Sequence, residues 1–466
     1  MSQSAATTSV SHDAEGPIAR LRSLAQKARS AALGSGDRAL DRRNALTAFA
    51  VRVTSAAILF LSQIALARWM GPEQFGVYVY SWTLVLVLGA IATAGLNVGA
   101  IRIVSELRER GLHDPLRGFL RAGRWLVAGF ALLLASLAAG AAGLLASRDA
   151  SGQWLTLAVI LLAVPAYAMT DLQDGICRGF GRMASALLAP YIIRPVLILA
   201  GIGMLYASGL PLDATLAALA AVVATWIAWG LQTVIVARDL RQLVPAGPRS
   251  YDPRGWAVIA APLMLMGAFD LAMQNIDVIV ITNLLTPADA GIYFAGAKTM
   301  ALILFVHYAV GSAMSNRFAA IATRGDAAAM RGVVHDAVRW TFWPSLAITA
   351  VMIALGPFLL ALFGPRFAAG FPVMCILAVA IVARAAIGPA EALLNMTGGQ
   401  RDCARSLMIA AMVNLGLCLA LTPLMGIVGA ALAVAAAIML GAFLNWRAIR
   451  RNLGIDAGVW AAHRRA

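Results

Sequence analysis

Residues 286 to 299 read TPADAGIYFAGAKT, and the tail of that stretch, GIYFAGAKT, comes within one residue of the glycine-rich phosphate loop GxxxxGK(S/T). Lys298 is one of only two lysines in a chain that otherwise uses arginine, the other being Lys27. Just upstream, WAVIAAPLMLMGAFDLAMQNIDVIVITNLL carries Asp270, Gln274 and Asp277 at spacings of four and three, which on a helix puts all three on one face. Arg52, Arg194, Arg384 and His307 also stand inside long apolar stretches. Ionisable groups are costly in such surroundings, so they point to the handling of charge: carboxylates that take up and release a cation, or cations that receive an anionic phosphate. The four cysteines, Cys177, Cys375, Cys403 and Cys418, show neither CxxC nor Cys/His metal spacing. No catalytic, cofactor-binding or metal-ligating residue is expected.

The elements that must position these residues are membrane helices. Of 466 residues, 61% are hydrophobic and 13% charged, with a mean hydropathy of +0.79, whereas soluble domains carry about 25% charged residues. Apolar blocks of about twenty residues recur, each long enough to cross roughly 30 Å of hydrocarbon as a helix. Twelve spans are expected, at 45–68, 77–98, 125–145, 154–170, 184–208, 214–236, 256–285, 291–314, 341–363, 371–394, 407–425 and 426–445. The first lies behind a long tail with charges of both signs, so it is expected to be retained rather than cleaved as a signal peptide.

The loops between spans alternate in charge. RIVSELRERGLHDPLRGFLRAGR (102 to 124), CRGFGR (177 to 182), ARDLRQLVPAGPRSYDPRG (237 to 255) and NRFAAIATRGDAAAMRGVVHDAVR (316 to 339) are rich in arginine, whereas GPEQFG, SRDASGQ, GLPLD, TPADA and GPRFAAG are short and nearly free of it. The positive-inside rule assigns the arginine-rich set, and both termini, to the cytoplasm. A formal net charge of +15 is thus spread over one side of a membrane protein and does not mark a nucleic-acid partner.

An internal repeat organises the spans. RWMGPEQFGVYVYSWT (68 to 83) lies over NLLTPADAGIYFAGAKT (283 to 299) at an offset of about 215 residues, matching Pro72 with Pro287, Gly76 with Gly291 and Tyr78 with Tyr293. CRGFGRMASALL (177 to 188) lies over NMTGGQRDCARSLM (395 to 408) at nearly the same offset. The expected organisation is a mobile or interfacial basic tail (1–44), a six-helix half (45–240), a cytoplasmic linker (241–255), a second six-helix half (256–446) and a second basic tail (447–466). The segment GPIARLRSLAQKARSAALG (16 to 34) suits either a basic amphipathic helix on anionic lipid or a disordered tail. Six helices per copy give both halves one orientation, related by an axis along the membrane normal around a central cavity. GIYFAGAKT is then the second copy of an outside hairpin. A phosphate loop must follow a strand, and the first copy has Thr83 opposite this region, so a nucleotide site is excluded.

The stretch LARWMGPEQFGVYVYSWTLVLVLGAIATAGLNVGAIRIVSE (66 to 106), with CRGFGRMASALL and NIDVIVITNLLTPADAGIYFAGAK (275 to 298), resembles the polysaccharide transporter branch of the multidrug/oligosaccharidyl-lipid/polysaccharide (MOP) exporter superfamily. The resemblance covers essentially the whole chain after the tail. It implies an all-α integral membrane protein of MATE-like fold. It also implies a flippase that moves a polyprenyl-pyrophosphate-linked oligosaccharide from the cytoplasmic to the periplasmic leaflet of the bacterial inner membrane. The product it implies is a surface polysaccharide (exopolysaccharide, capsule or O-antigen), and the transport it implies is alternating access coupled to Na⁺ or H⁺. The partners it implies are the lipid-linked glycan, membrane lipids, and a polymerase with other assembly proteins. Two rivals stand beside it. A cation-coupled multidrug antiporter of the same superfamily would favour an acidic, apolar cavity; a polymerase or ligase of lipid-linked sugars would need a long outside loop, and all of these are under about fifteen residues.

On that reading Lys298, Arg194, Arg384 and Arg52 are candidate cavity cations for the pyrophosphate, while Asp270 and Asp277 are ion-coupling or structural carboxylates. Each has a bland alternative. Lys298 and Asp277 lie at similar depth, about 12 Å below the outer ends of adjacent helices, so a static salt bridge between them is one expectation. Arg52 snorkels or meets substrate at the inner mouth. Arg194 and Arg384 sit near mid-span beside Pro195 and Pro389, which interrupt helices. Glu391 pairs with Arg384 or with loop arginines. His307 reads as a core histidine before a proton relay, and Asn97, Gln63, Gln274, Asn275 and Asn414 as helix ties before sugar ligands. Asp171 and Asp174, with Arg178 and Arg182, read as a charge cluster at the inner surface.

Overall fold

The computed structural model describes residues 37–146, 152–209 and 211–462. The side chains of residues 37–50 and of Arg52 lie outside the described set, as does the whole segment 16–34. Secondary structure among the described residues is helical, without strands.

Helix α1 (Asp37–Thr93) holds two passes, because Gly71 leaves helical geometry at φ 74° and ψ 170°. Pro72 has no N–H to lose and starts the next helix directly. The N-terminal half continues with α2 (Leu96–Glu109), α3 (His113–Ala146), α4 (Gln153–Ile160) and α5 (Val164–Gly179). It ends with α6 (Met183–Leu188), α7 (Arg194–Ala207) and α8 (Ala214–Leu243). A C-terminal set comes next: α9 (Pro253–Leu284), α10 (Pro287–Ala301), α11 (Leu304–Arg324), α12 (Ala327–Ala354), α13 (Gly356–Phe363), α14 (Phe371–Ala385) and α15 (Ala390–Met396). Helix α16 (Gln400–Leu453) again holds two passes, folded at Gly426 (φ 61°, ψ −142°), and α17 (Val459–Ala462) closes the described chain. Ten helical segments among the described residues are long and apolar enough to cross a membrane. Two of these, 53–109 and 400–453, turn back at a non-helical glycine and count twice, so the passes among the described residues number twelve.

The helix starts carry local signals. Thr286 and Asp289 form a reciprocal capping box ahead of α10, with Pro287 in the first turn. Asp213, Asp252 and Asp326 cap α8, α9 and α12 through side-chain acceptors.

The two repeat copies meet in the middle of the molecule. A Cβ on Gly76 would lie 1.6 Å from the Pro287 carbonyl oxygen, and one on Gly291 would lie 2.6 Å from that of Pro72. Each copy thus contacts the other through equivalent residues, as a two-fold relation requires. Around this crossing one large core joins both halves, including Phe75, Tyr78, Tyr293, Phe363 and Phe367. Toward the arginine-rich end the packing divides: Cys177, Ala186, Leu187 and Val236 form a small cluster in the first half, and Phe318, Val334, Ile387 and Ile449 belong to a separate one in the second. Trp125, Leu133, Leu137 and Leu144 on α3 are exposed apolar residues, as a lipid-facing helix requires.

Helix α9 belongs to both bodies. Its start packs on the first half, where Trp256 meets Phe119 edge-on at 5.4 Å and Gly95 lies so close that a Cβ there would sit 2.4 Å from the Ala260 carbonyl. Its far end is buried at Asp277, Val278, Val280 and Ile281. The preceding linker is fastened to the first half as well. Arg117 donates to the carbonyls of Pro248 (2.7 Å) and Pro245 (2.8 Å) and pairs with Asp114, while the Ser250 N–H donates to the Asp114 carbonyl at 3.0 Å.

Candidate functional site

The residues singled out by charge fall into three groups in space. The first is in the N-terminal half. Pro195 has no N–H for the carbonyl of Tyr191, and the chain widens into a π turn over Ala189–Ile193 immediately before Arg194. This aims the Arg194 guanidinium over two rings, 4.8 Å from the centre of Tyr167 and 5.7 Å from that of Trp82. Among the described residues Arg194 makes no ion pair. It lines a cavity of about 60 Å³ with Tyr167, Thr170, Asp171, Asp174, Pro190 and Tyr191, room for a couple of waters and not for a sugar ring.

The sequence places Asp171 at the inner surface with Asp174, and here the structure differs. The Asp171 carboxylate accepts from the Asn97 amide at 2.7 Å and faces the Arg194 cavity. Asp174 lines the same cavity and pairs with Arg178, one turn further along α5, at 2.7 Å. Asn97 is accordingly a tie between α2 and α5. The missed signal was periodicity: Asp171 and Asp174 are three apart on the same helix face as Tyr167, which turns all of them inward.

The second group surrounds Lys298. The expected salt bridge to Asp277 is not formed. Asp277 is buried at 6% exposure and already satisfied: Tyr293 donates its hydroxyl to Oδ2 at 2.7 Å, and the Val278 N–H donates to Oδ1 at 2.8 Å. The reason is angular. Tyr293 and Lys298 are five residues apart on α10, roughly 140° around the helix, so the face that gives Tyr293 to Asp277 turns Lys298 away. The ammonium instead sits 5.0 Å from the centre of the Phe294 ring, with no carboxylate bound among the described residues. It occupies the last turn of α10, where the terminal carbonyls favour a cation, because the eighth pass breaks between Ala301 and Leu304. Its side chain is half-buried.

The third group lies in the C-terminal half toward the arginine-rich end. The tenth pass breaks between α14 and α15, with Gly388 at φ 64° before Pro389, and Arg384 again occupies the last turn before a break. It pairs with Glu391 across that break at 2.8 Å. Asp270 accepts from Gln274 at 2.8 Å on exposed α9, and Asp270 and His307 both lie within electrostatic range of Arg384 and Glu391. Charged or titratable side chains from four helices therefore lie near one another. Arg52 lies on α1 with its side chain outside the described residues.

The seats of Arg194 and Lys298 are set by neighbouring aromatic rings. Tyr167, Trp82 and Phe294 are the aromatic faces that hold two of the cations. Cations spaced three or four residues from an aromatic on one helix, as Phe294 is from Lys298, are the signal that was available.

Comparison with known proteins agrees with this architecture. Residues 42–315 match the family described as Polysaccharide biosynthesis protein. No curated protein matches the chain by sequence. Among solved structures, an inward-facing multidrug resistance MATE family transporter of the MOP superfamily aligns with a TM-score of 0.69 at 14% identity, over 87% of this chain and 98% of that one. A MOP superfamily transporter from Pyrococcus furiosus gives 0.62 at 14% identity, over 92% and 98%. The lipid II flippase MurJ, in an inward closed conformation, gives 0.61 at 11% identity, over 87% of each chain. At these identities the likeness is one of fold.

Proposed function

The chain belongs to the polysaccharide biosynthesis protein family and has the fold of MOP-superfamily transporters, and from that premise we propose that it is a flippase for a lipid-linked oligosaccharide. The proposed substrate is a polyprenyl-pyrophosphate glycan, carried from the cytoplasmic to the periplasmic leaflet of a bacterial inner membrane for surface polysaccharide assembly, with the arginine-rich loops and both termini on the cytoplasmic side. The observation that supports this substrate is the seating of Arg194 and Lys298. Each is an interior cation held over aromatic rings, without a carboxylate within ion-pair distance among the described residues. A cation already bound to a carboxylate must exchange partners before it takes phosphate; one seated on a ring keeps its N–H donors for an incoming oxygen. Arg384, bonded to Glu391, is a cation of the other kind, suited to exchange during transport.

The same seating disfavours a multidrug antiporter for cationic compounds, whose cavity needs unpaired acid. Asp277, the most deeply buried carboxylate of the seventh pass, is occupied by Tyr293. Asp270, on the exposed part of that pass, is left as the carboxylate for a coupling H⁺ or Na⁺.

The test is topological. Cells lacking the protein should accumulate completed lipid-linked repeat units on the leaflet where they are made, while synthesis continues. Units that reach the opposite leaflet normally but stay unpolymerised would refute the reading.

A further inference from the structure

The last described segment does more than end the twelfth pass. Helix α16 stops at Leu453, Gly454 takes φ 64°, and the chain turns back. Asp456 gathers the returning strand of chain around its carboxylate. Its Oδ1 accepts from the Trp446 indole at 2.8 Å and the Gly458 N–H at 3.1 Å, and its Oδ2 from the Trp460 indole at 3.3 Å. The Asp456 carbonyl lies 3.2 Å from Nε2 of His335 on α12, which donates to it. Ile455 and Ala457, 3% and 0% exposed, enter the core cluster of Val334, Ile387 and Ile449.

The decisive contact is the last one. The Val459 N–H donates to the Ala386 carbonyl at 2.9 Å. Ala386 lies in the break of the tenth pass, between Arg384 and Glu391, where the helical ladder is interrupted and a carbonyl needs an outside donor. On its other side the break is wedged against α12, since a Cβ on Gly388 would sit 2.9 Å from the Val338 Cα. The break is therefore held between α12 and the returning chain. Packing alone does not call for a carboxylate here: an apolar side chain would fill the space without needing three donors brought to it.

We propose that residues 454–462 form a clasp, and that Asp456 is a positioning residue which, through the Val459–Ala386 hydrogen bond, fixes the break so that Arg384 and Glu391 keep their geometry in the charge cluster with Asp270 and His307. The positioning role rests on the reading of that charge cluster as part of the transport path; the clasp itself does not.

The experiment uses the full chain, purified in detergent, with Ala457→Cys as a reporter and maleimide modification of that site followed by peptide mass spectrometry. Asp456→Ala should speed modification about tenfold or more, because a buried position becomes exposed by local opening. Trp460→Phe, which keeps an aromatic ring and loses one donor, should speed it less and in the same direction, and serves if Asp456→Ala does not fold. An unchanged rate in the variants that fold overturns the clasp. Flipping is then measured in proteoliposomes with the lipid-linked glycan extracted from the deletion strain. Asp456→Ala and Glu391→Gln should each slow it, and the double variant should be no slower than the worse single one. A multiplicative loss overturns action through the Arg384–Glu391 pair. If the reporter thiol becomes reactive while Glu391→Gln flips normally, the charge cluster is not on the transport path, and the positioning role falls with that reading while the clasp stands.

Discussion

Gly76 and Gly291 are equivalent residues of the two repeat copies, and each packs against the proline carbonyl that begins the other copy's helix. A side chain at either point must push two backbones apart at the centre of the core that joins the halves. Gly76→Ala should therefore cost about 1–3 kcal/mol, the range for overpacking, read as a lowered melting temperature in detergent. Gly267→Ala, where a Cβ meets nothing within 4 Å, is the matched control and should lose nothing. Equal melting of the two variants would show that the halves are not in contact there.

The Tyr293–Asp277 hydrogen bond makes a prediction about a lysine that does not touch it. Tyr293→Phe leaves a buried carboxylate oxygen unpaired and should cost about 1–3 kcal/mol, most of it recovered when Asp277→Leu is added. Lys298→Met should cost less stability than Tyr293→Phe but slow flipping more. A Lys298→Met variant whose loss of flipping is repaired by changing Asp277 would restore the static ion pair that the geometry rejects.

Arg194 tests the aromatic seat. Arg194→Lys keeps the charge and loses the planar face that lies over Tyr167 and Trp82, a contact worth about 0.5–2 kcal/mol. Flipping should slow by a few-fold to about tenfold at unchanged membrane abundance. Wild-type flipping by the lysine variant would mean that charge alone matters there.

Arg117 holds the linker by its guanidinium, so Arg117→Ala should free residues 245–250. Limited proteolysis in detergent should then cut this segment about tenfold or more faster, with Arg117→Lys intermediate because it replaces a fork of donors by one ammonium. An unchanged cleavage rate would show that the capped start of α9 alone secures the linker.

Much of this was legible in the chain, and the boundary is physical. Span length and the position of glycines fix the twelve passes: Gly71 and Gly426 fall within a few residues of where hydropathy places the turns, and Pro195 and Pro389 mark interruptions that the structure contains. Position along each helix was equally legible, since 1.5 Å per residue converts sequence into height along the helix axis. Azimuth was not. Whether Lys298 meets Asp277 depends on rotation about α10 and on a tyrosine that a linear reading treats as packing, and whether Asp171 faces a loop or a cavity depends on how α5 is turned against α7. The clasp was less legible still, because its bonds join residues 335, 386, 446 and 456, which no local pattern links.

The linker held by Arg117 and the seating of Trp256 on the first half have a mechanical consequence. If the two halves rock, the covalent joint between them supplies no slack, for it moves as part of the first half up to the start of α9. Relative motion must then be taken up within that one helix, between its anchorage at Trp256 and Ala260 and its buried end at Asp277. The stretch between contains Pro262 and Gly267, the residues with which a helix bends, and it carries Asp270 and Gln274. A single helix would thus act as a torsion bar for the whole transporter, its twist reporting conformational state at the carboxylate it bears.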